Sequence, residues 1–283
     1  MCLIALALGQ HRRWPLVVAA NRDEFLHRPS AALDWWRPSP AAEPLLGGRD
    51  LQAGGTWMGL AANGRLAMVT NVRDLARHRA TAPSREQVVP DWLATSPTAS
   101  AFWQETAARG HNPFNLLAAD MAQRQWWWAD DRASAPQALG PGLYGLSNAT
   151  LDTPWPKVQR LKRALAEAIA AAASLTVLEA ALFAALADRS SAPDDALPET
   201  GVGLERERWL APAFIRTPDG RYGTRGSTLL IAEQGHTGLG VHMIERVFDA
   251  EGRAVTQRRA RLPRWPLPAG EFAPIDDEPF RPD

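Results

Sequence analysis

The order in which strand-like and helix-like segments follow one another sets the tightest limit on how this chain folds. Residues 3–8 and 15–20 are short apolar runs separated by a polar, turn-like stretch, the pattern of a β-hairpin. Asn21-Arg22-Asp23-Glu24 places four polar residues straight after the second run and is expected to stop that strand. Residues 29–44, rich in tryptophan and proline, read as irregular. Residues 56–61 and 65–71 make the clearest hairpin, because Asn63-Gly64 between them suits a tight turn at positive φ.

Helix-like segments follow. Ser84-Arg85-Glu86-Gln87 has the spacing of a capping box ahead of a helix over 88–94. A second helix over 99–109 stops at Gly110. Residues 114–121, 124–130 and 143–148 read as strands. Pro156 suits the first position of a helix running to 172, and Thr176-Val177-Leu178-Glu179 opens another to 187. After a loop over 190–203, strands are expected at 222–233, 240–249 and 253–262. The tail from Pro263 is proline-rich and reads as a surface-draped extension. No repeat or linker divides the chain, so one domain over 1–283 is expected. Strands with segregated helix pairs predict an α+β domain in which helices cover antiparallel sheets.

The 283 residues carry 31 basic and 31 acidic side chains, a net charge of zero. That balance gives no electrostatic footprint for nucleic acid or an anionic membrane. A hydrophobic fraction of 46% belongs to a globular chain and is too high for a disordered one. No apolar run approaches the roughly 20 residues that span a bilayer. The apolar start over 3–8 lacks the preceding basic region of a secretory signal. A soluble, cytoplasmic protein is expected. Lys157 and Lys162 are the two lysines, so nearly all positive charge is arginine, which reads as compositional bias.

Cys2 is the single cysteine, which leaves no internal disulfide and no cysteine-cluster metal site. Its small side chain permits bacterial-type removal of Met1. One residue would then carry a thiol nucleophile and a free α-amine, and an amine of pKa about 8 can act as the base for its own side chain. Cys2 equally fits a small apolar residue at the start of a buried strand.

Asn21-Arg22-Asp23-Glu24 lies where a hairpin partner would bring it near the N-terminus. A carboxylate there can hold the amine, and an arginine can stabilise a thiolate or bind a substrate anion. A solvated turn held by an Arg–carboxylate pair fits the same residues. Asn71 ends a strand and leads into Arg73; Asn148 ends another; Arg225 is expected at a strand entrance. An asparagine at a strand exit can donate to an oxyanion or simply make a turn. Three of the six asparagines, Asn21, Asn71 and Asn148, sit in such settings, which favours a shared site.

Several motifs together carry a resemblance: Met1-Cys2-Leu3-Ile4, Asn21-Arg22-Asp23-Glu24, Gly54-Gly55-Thr56-Trp57, Thr70-Asn71-Val72-Arg73, Leu146-Ser147-Asn148 and Tyr222-Gly223-Thr224-Arg225-Gly226-Ser227-Thr228. In this order, over about residues 1–250, the chain resembles the NRDE family, whose eukaryotic members are called transport and Golgi organisation protein 2. That family in turn is similar to N-terminal-nucleophile (Ntn) hydrolases with a cysteine nucleophile, the choloylglycine hydrolase and penicillin V acylase group. The resemblance implies a four-layer αββα sandwich. It implies Cys2 as nucleophile with its own α-amine as base, and Asp23 holding that amine. Asn71 and Asn148 would serve the oxyanion hole and amine positioning, and Arg225 would support the site electrostatically. Asn21, Arg22, Glu24 and Arg73 are the candidate binding residues. One departure stands out. Those hydrolases carry arginine where this chain has Ala20, and Arg22, two positions later, is expected on the opposite strand face.

Two functions follow. The first is a cofactor-free cysteine amidohydrolase acting on a non-peptide C–N bond of a small acyl compound. The second, implied by the family resemblance, is a trafficking protein on a hydrolase scaffold that binds haem or a lipid-like ligand such as an acyl-CoA. Twelve tryptophans, including Trp35-Trp36 and Trp126-Trp127-Trp128, can line an apolar cleft, although the core is their commoner place. The six histidines, such as His27, His78 and His242, have no ligand spacing, so no metal site and no axial haem ligand is assigned.

Overall fold

A computed structural model describes residues 2–95, 97–235, 238–268 and 271–279. The elements in chain order are β1 (Cys2–Leu8), β2 (Leu16–Phe25), β3 (Ser30–Trp36), β4 (Leu45–Asp50), β5 (Met58–Ala61), β6 (Arg65–Asn71), α1 (Val88–Ala94) and α2 (Ala99–Ala108). Then come β7 (Phe114–Asp120), β8 (Gln125–Asp130), β9 (Gln137–Ala138), β10 (Gly142–Leu146), α3 (Pro156–Ala171) and α4 (Leu175–Leu186). The chain continues through α5 (Leu204–Leu210), β11 (Tyr222–Gly235), β12 (Gly238–Phe248), β13 (Ala254–Leu262) and β14 (Ile275–Pro279).

The strands form two seven-stranded antiparallel sheets. The first has the order β10-β1-β2-β11-β12-β13-β14, the second β3-β4-β5-β6-β7-β8-β9. The mixed α/β class expected from the segment order is present. Side-chain alternation along β1 separates two cores. Leu3, Ala5 and Ala7 pack with Leu161, Leu165, Leu178 and Leu182 of α3 and α4. Cys2, Ile4, Leu6 and Leu8 belong to a cluster shared with the second sheet. In that second sheet, Arg65 lies 4.1 Å over the Trp92 ring of α1, and Trp127 meets Trp92 edge-on and Phe102 at a tilt. No helix among the described residues is long and apolar enough to cross a membrane.

The β1–β2 and β5–β6 hairpins form as the sequence predicts, with Gly64 at φ +94°. Five details differ. Asn21-Arg22-Asp23-Glu24 does not stop β2, which runs to Phe25, because β1 and β11 satisfy its backbone on both edges. Residues 29–44 contain β3, whose Leu33 is fully buried. The helix α4 is capped by Ser174 and not by Thr176, the Ser174 side chain accepting from Val177 N–H. The loop expected over 190–203 holds a 3₁₀ turn at Asp194–Ala196, and the short helix α5 follows it. The proline-rich tail is no loose drape: Trp265 is buried, donates to Ala61 O at 2.9 Å, and leads to the edge strand β14.

Candidate functional site

Cys2 opens β1 in direct register with Arg22 on β2, and both are buried. Directly opposed residues of an antiparallel pair share a face. Arg22 is therefore on the Cys2 side of the strand, which corrects the opposite-face expectation; a spacing of two keeps a side chain on its face. The Arg22 guanidinium donates to Asp50 Oδ2 at 2.8 Å and stacks 4.4 Å from the Trp57 ring. Its Nη1 is buried without a hydrogen-bond partner among the described residues.

The neighbours of Arg22 on β2 are placed differently. Asn21 donates through Nδ2 to Leu186 O (2.8 Å) and Ala213 O (2.9 Å), and accepts from Ser227 Oγ at 2.6 Å. Asp23 accepts from Thr224 Oγ1 at 2.7 Å, and its backbone carbonyl accepts from Tyr222 OH at 2.7 Å. Burial raises the Asp23 pKa, while the charge of Lys157 pulls it down. Burial alone would raise Glu24 as well. A hydrogen bond from Phe25 N–H and the cations Arg22 and Arg28 carry it below the usual carboxylate range.

Asn71 and Asn148 meet. Asn148 Nδ2 donates to Asn71 O (3.0 Å) and Asn71 Oδ1 (3.2 Å). Asn148 Oδ1 accepts from Ser147 Oγ at 3.2 Å, and Ser147 Oγ also donates to Cys2 O at 3.3 Å. Thr70 Oγ1 donates to Ser147 O at 2.7 Å, which ties β6 to the strand end after β10. Arg73 donates to Glu207 Oε2 at 2.6 Å, and its backbone N–H donates to Asn148 O at 2.7 Å.

A cavity of about 10 Å³ adjoins Cys2, lined also by Arg22, Asp23, Glu24, Trp57, Asn71, Arg85 and Glu86. Such a volume holds about one water. Beside it lies a cleft of about 490 Å³, and Glu24, Asn71 and Arg85 line both. The cleft's other walls include Phe25, Val72, His78, Arg206, Trp209 and Tyr222. Its volume falls within the range of small-molecule sites. Burial pushes the Cys2 thiol up; Asp23 adds to that, and Arg22 and Arg85 oppose it. Burial and the nearby Asp50 raise Glu86 to about 7. Among the described residues, no group of three or more His, Cys, Asp or Glu side chains is placed to hold a metal ion.

Arg225 stands apart from Cys2. It lies within β11, at a bulge between Thr224 and Gly226, where the sequence suggests a strand entrance. Its Nη1 donates to the carbonyls of Phe25 (3.3 Å), Leu26 (2.7 Å) and Arg28 (3.1 Å) and so holds the turn after β2.

The family model described as Transport and Golgi organisation 2 matches residues 1–250. The chain belongs to the transport and Golgi organisation 2 family. The Transport and Golgi organization protein 2 homolog of Bos taurus is 36% identical to it over 275 residues, covering 91% of this chain and 92% of the bovine one. The Homo sapiens homolog is 32% identical over 238 residues, covering 78% and 83%. The Mus musculus homolog is 30% identical over 236 residues, with the same coverage. Among solved structures, the mutant C2A conjugated bile acid hydrolase from Clostridium perfringens aligns over 88% of this chain and 89% of its own. The TM-score is 0.45 and the identity 9%, a likeness too distant to bear on fold or chemistry.

In this member of the transport and Golgi organisation 2 family, several residues around the site escaped the sequence reading. Lys157 is buried at the start of α3, donates to Leu210 O at 3.0 Å, and is lowered by burial to about 8. A cation in the first turn of a helix opposes the macrodipole. That placement is the sequence signal that marks Lys157. Glu86 was accounted for by the capping box, yet it is buried beside Cys2. Asn115 donates to Thr70 Oγ1 at 3.0 Å beneath the Asn71–Asn148 pair. It lies inside a strand, where no motif marks it.

Proposed function

We propose that this chain is an Ntn-type cysteine amidohydrolase with an αββα sandwich fold, acting in the cytoplasm on a C–N bond of a small acyl compound. Asn71 carries the reading. Asn148 Nδ2 occupies its carbonyl oxygen, and its own Nδ2 makes no hydrogen bond among the described residues. That nitrogen is left as a donor on a residue lining both the Cys2 cavity and the cleft. An uncommitted donor beside a nucleophile is what an oxyanion needs.

In this mechanism Met1 is removed and the freed α-amine of Cys2 takes the thiol proton, with Asp23 holding the amine. The sulfur bonds to the amide carbonyl carbon, and the oxygen that gains charge is met by Asn71. The C–N bond then breaks and the leaving amine takes the proton from the α-amine. Water hydrolyses the thioester, which releases the acid and restores the thiol. The substrate lies in the cleft, with Arg206 and Arg221 available to anionic groups.

A second reading, binding without catalysis, is favoured by the tight cavity at Cys2 and by burial of its thiol. The cleft then holds cargo such as haem or an acyl-CoA, with His78 and the arginines on its walls. Intact mass of the purified protein before and after iodoacetamide, for wild type and Cys2→Ala, separates the two. Loss of Met1 and one adduct in wild type, with none in Cys2→Ala, is the hydrolase outcome. Retained Met1 sinks that mechanism and leaves the cargo reading, with haemin titration as its first assay.

A further inference from the structure

The residues that surround Cys2 are nearly all committed to partners. Arg22 is held by Asp50, Arg28 by Asp50, and Arg73 by Glu207. Arg85 is the exception: its side chain makes no hydrogen bond or ion pair among the described residues. It is half-buried and lines both the Cys2 cavity and the cleft.

Its place is fixed by the backbone. Arg85 opens the short 3₁₀ turn Arg85–Gln87, capped by the Ser84 side chain, which accepts from Glu86 N–H. Thr56 N–H donates to Glu86 O at 3.0 Å, and Gln87 Nε2 donates to Ala53 O at 3.1 Å. A Cβ on Gly55 would stand 2.2 Å from Glu86 O, so only glycine admits this approach. The Gly54-Gly55-Thr56-Trp57 segment therefore docks the turn that carries Arg85, while its Trp57 stacks on Arg22.

We propose that Arg85 is a positioning residue that supplies positive charge to support the Cys2 thiolate, alongside Arg22. The inference rests on the reading of Cys2 as a nucleophile. Arg22 is also near, its Nη1 is unpartnered among the described residues, and it too favours the thiolate, but it is tied to Asp50, which it shares with Arg28. The other charged or titratable groups facing the thiol are Asp23 and Glu24 of β2, Glu86 of the turn, Lys157 of α3 and Tyr222 of β11. The carboxylates of Asp23 and Glu24 oppose a thiolate, so the balance turns on the cations Arg22 and Arg85, and Arg85 makes no ion pair among the described residues.

The test follows the rate of Cys2 alkylation by iodoacetamide against pH, read by intact mass. In Arg85→Met the midpoint of that profile is expected about one pH unit higher, with alkylation near neutral pH slowed about 3- to 10-fold. Arg85→Lys keeps the wild-type profile, and added salt narrows the gap between wild type and Arg85→Met. If Arg85→Met does not fold, Arg85→Gln makes the same comparison. An unchanged profile in the neutral variant overturns the role of Arg85 and leaves Cys2 standing as nucleophile. A wild type that no pH makes reactive overturns both.

Discussion

Asn21-Arg22-Asp23-Glu24 is one stretch of β2 with two unlike faces. Asn21 is turned toward the α4 side, where its three hydrogen bonds go to Leu186 O, Ala213 O and Ser227 Oγ. These partners are fixed parts of the scaffold, so Asn21 acts as a staple between β2, β11, the end of α4 and the segment after α5. Arg22, one residue on, is turned toward the second sheet and meets Asp50 and Trp57. That face retains a buried, unpartnered Nη1 beside a thiol and a one-water cavity. A side chain whose polar atoms are all satisfied, as Asn21's are, holds structure. A face with an unsatisfied buried charge is where chemistry or a ligand finds something to bind.

Breaking the pair on the Arg22 side gives the largest expected effect. Arg22→Met leaves the fully buried Asp50 with Arg28 alone, and loss of one partner of a buried pair costs about 3–4 kcal/mol. Urea unfolding at neutral pH measures it. A loss well below 1 kcal/mol would mean that Arg28 alone neutralises Asp50. Breaking the other face comes next. Asn21→Leu strands two carbonyls and a hydroxyl, for about 2–3 kcal/mol. The sharper point is reactivity: Asn21→Leu is expected to leave the alkylation rate of Cys2 unchanged in the folded protein, whereas Arg22→Met alters it. Equal effects on Cys2 from both variants would erase the distinction between the faces.

The contrast also explains what was legible in the sequence. Hairpins and helices announce themselves locally, through Asn63-Gly64 or Pro156, and these are where the structure has them. The candidates Cys2, Asn71 and Asn148 were legible because each opens, ends or follows a strand, and Asp23 because it stands in a polar run, although that run lies inside β2. The order of the strands then brings Cys2 to Arg22 and Asn71 to Asn148. Arg85, Glu86 and Lys157 were not legible. Their local roles, a capping box and the first turn of a helix, gave each a sufficient explanation within its own segment. Their place at the site depends on contacts between distant segments, such as Thr56 N–H to Glu86 O. Residues 29–44 misled for the opposite reason. Their prolines are local punctuation, while the partner that makes β3 a strand, β4, lies beyond them.

The smallest effect expected separates the two faces by pH. Glu245 of β12 is buried on the Arg22 side, its Oε2 accepting from Leu33 N–H at 2.6 Å, and burial raises it to about 7. Glu86, on the same side, is raised in the same direction, also to about 7. A carboxyl whose pKa is higher in the folded state binds its proton more tightly there than in the unfolded chain. Its folded form is thus favoured at low pH, and stability falls as pH rises from the ordinary value of 4.5 toward 7. Glu245→Gln keeps an acceptor for Leu33 N–H and removes that titration. Its unfolding free energy is expected to fall less than that of wild type between pH about 5 and 8, by on the order of 1–2 kcal/mol. Lys157 acts in a separate window: lowered to about 8 from 10.5, it favours the folded state only as pH climbs above about 8. Parallel curves for wild type and Glu245→Gln below that point would mean that Glu245 is ionised throughout. The Arg22 face would then already be balanced, as the Asn21 side chain is by its own partners.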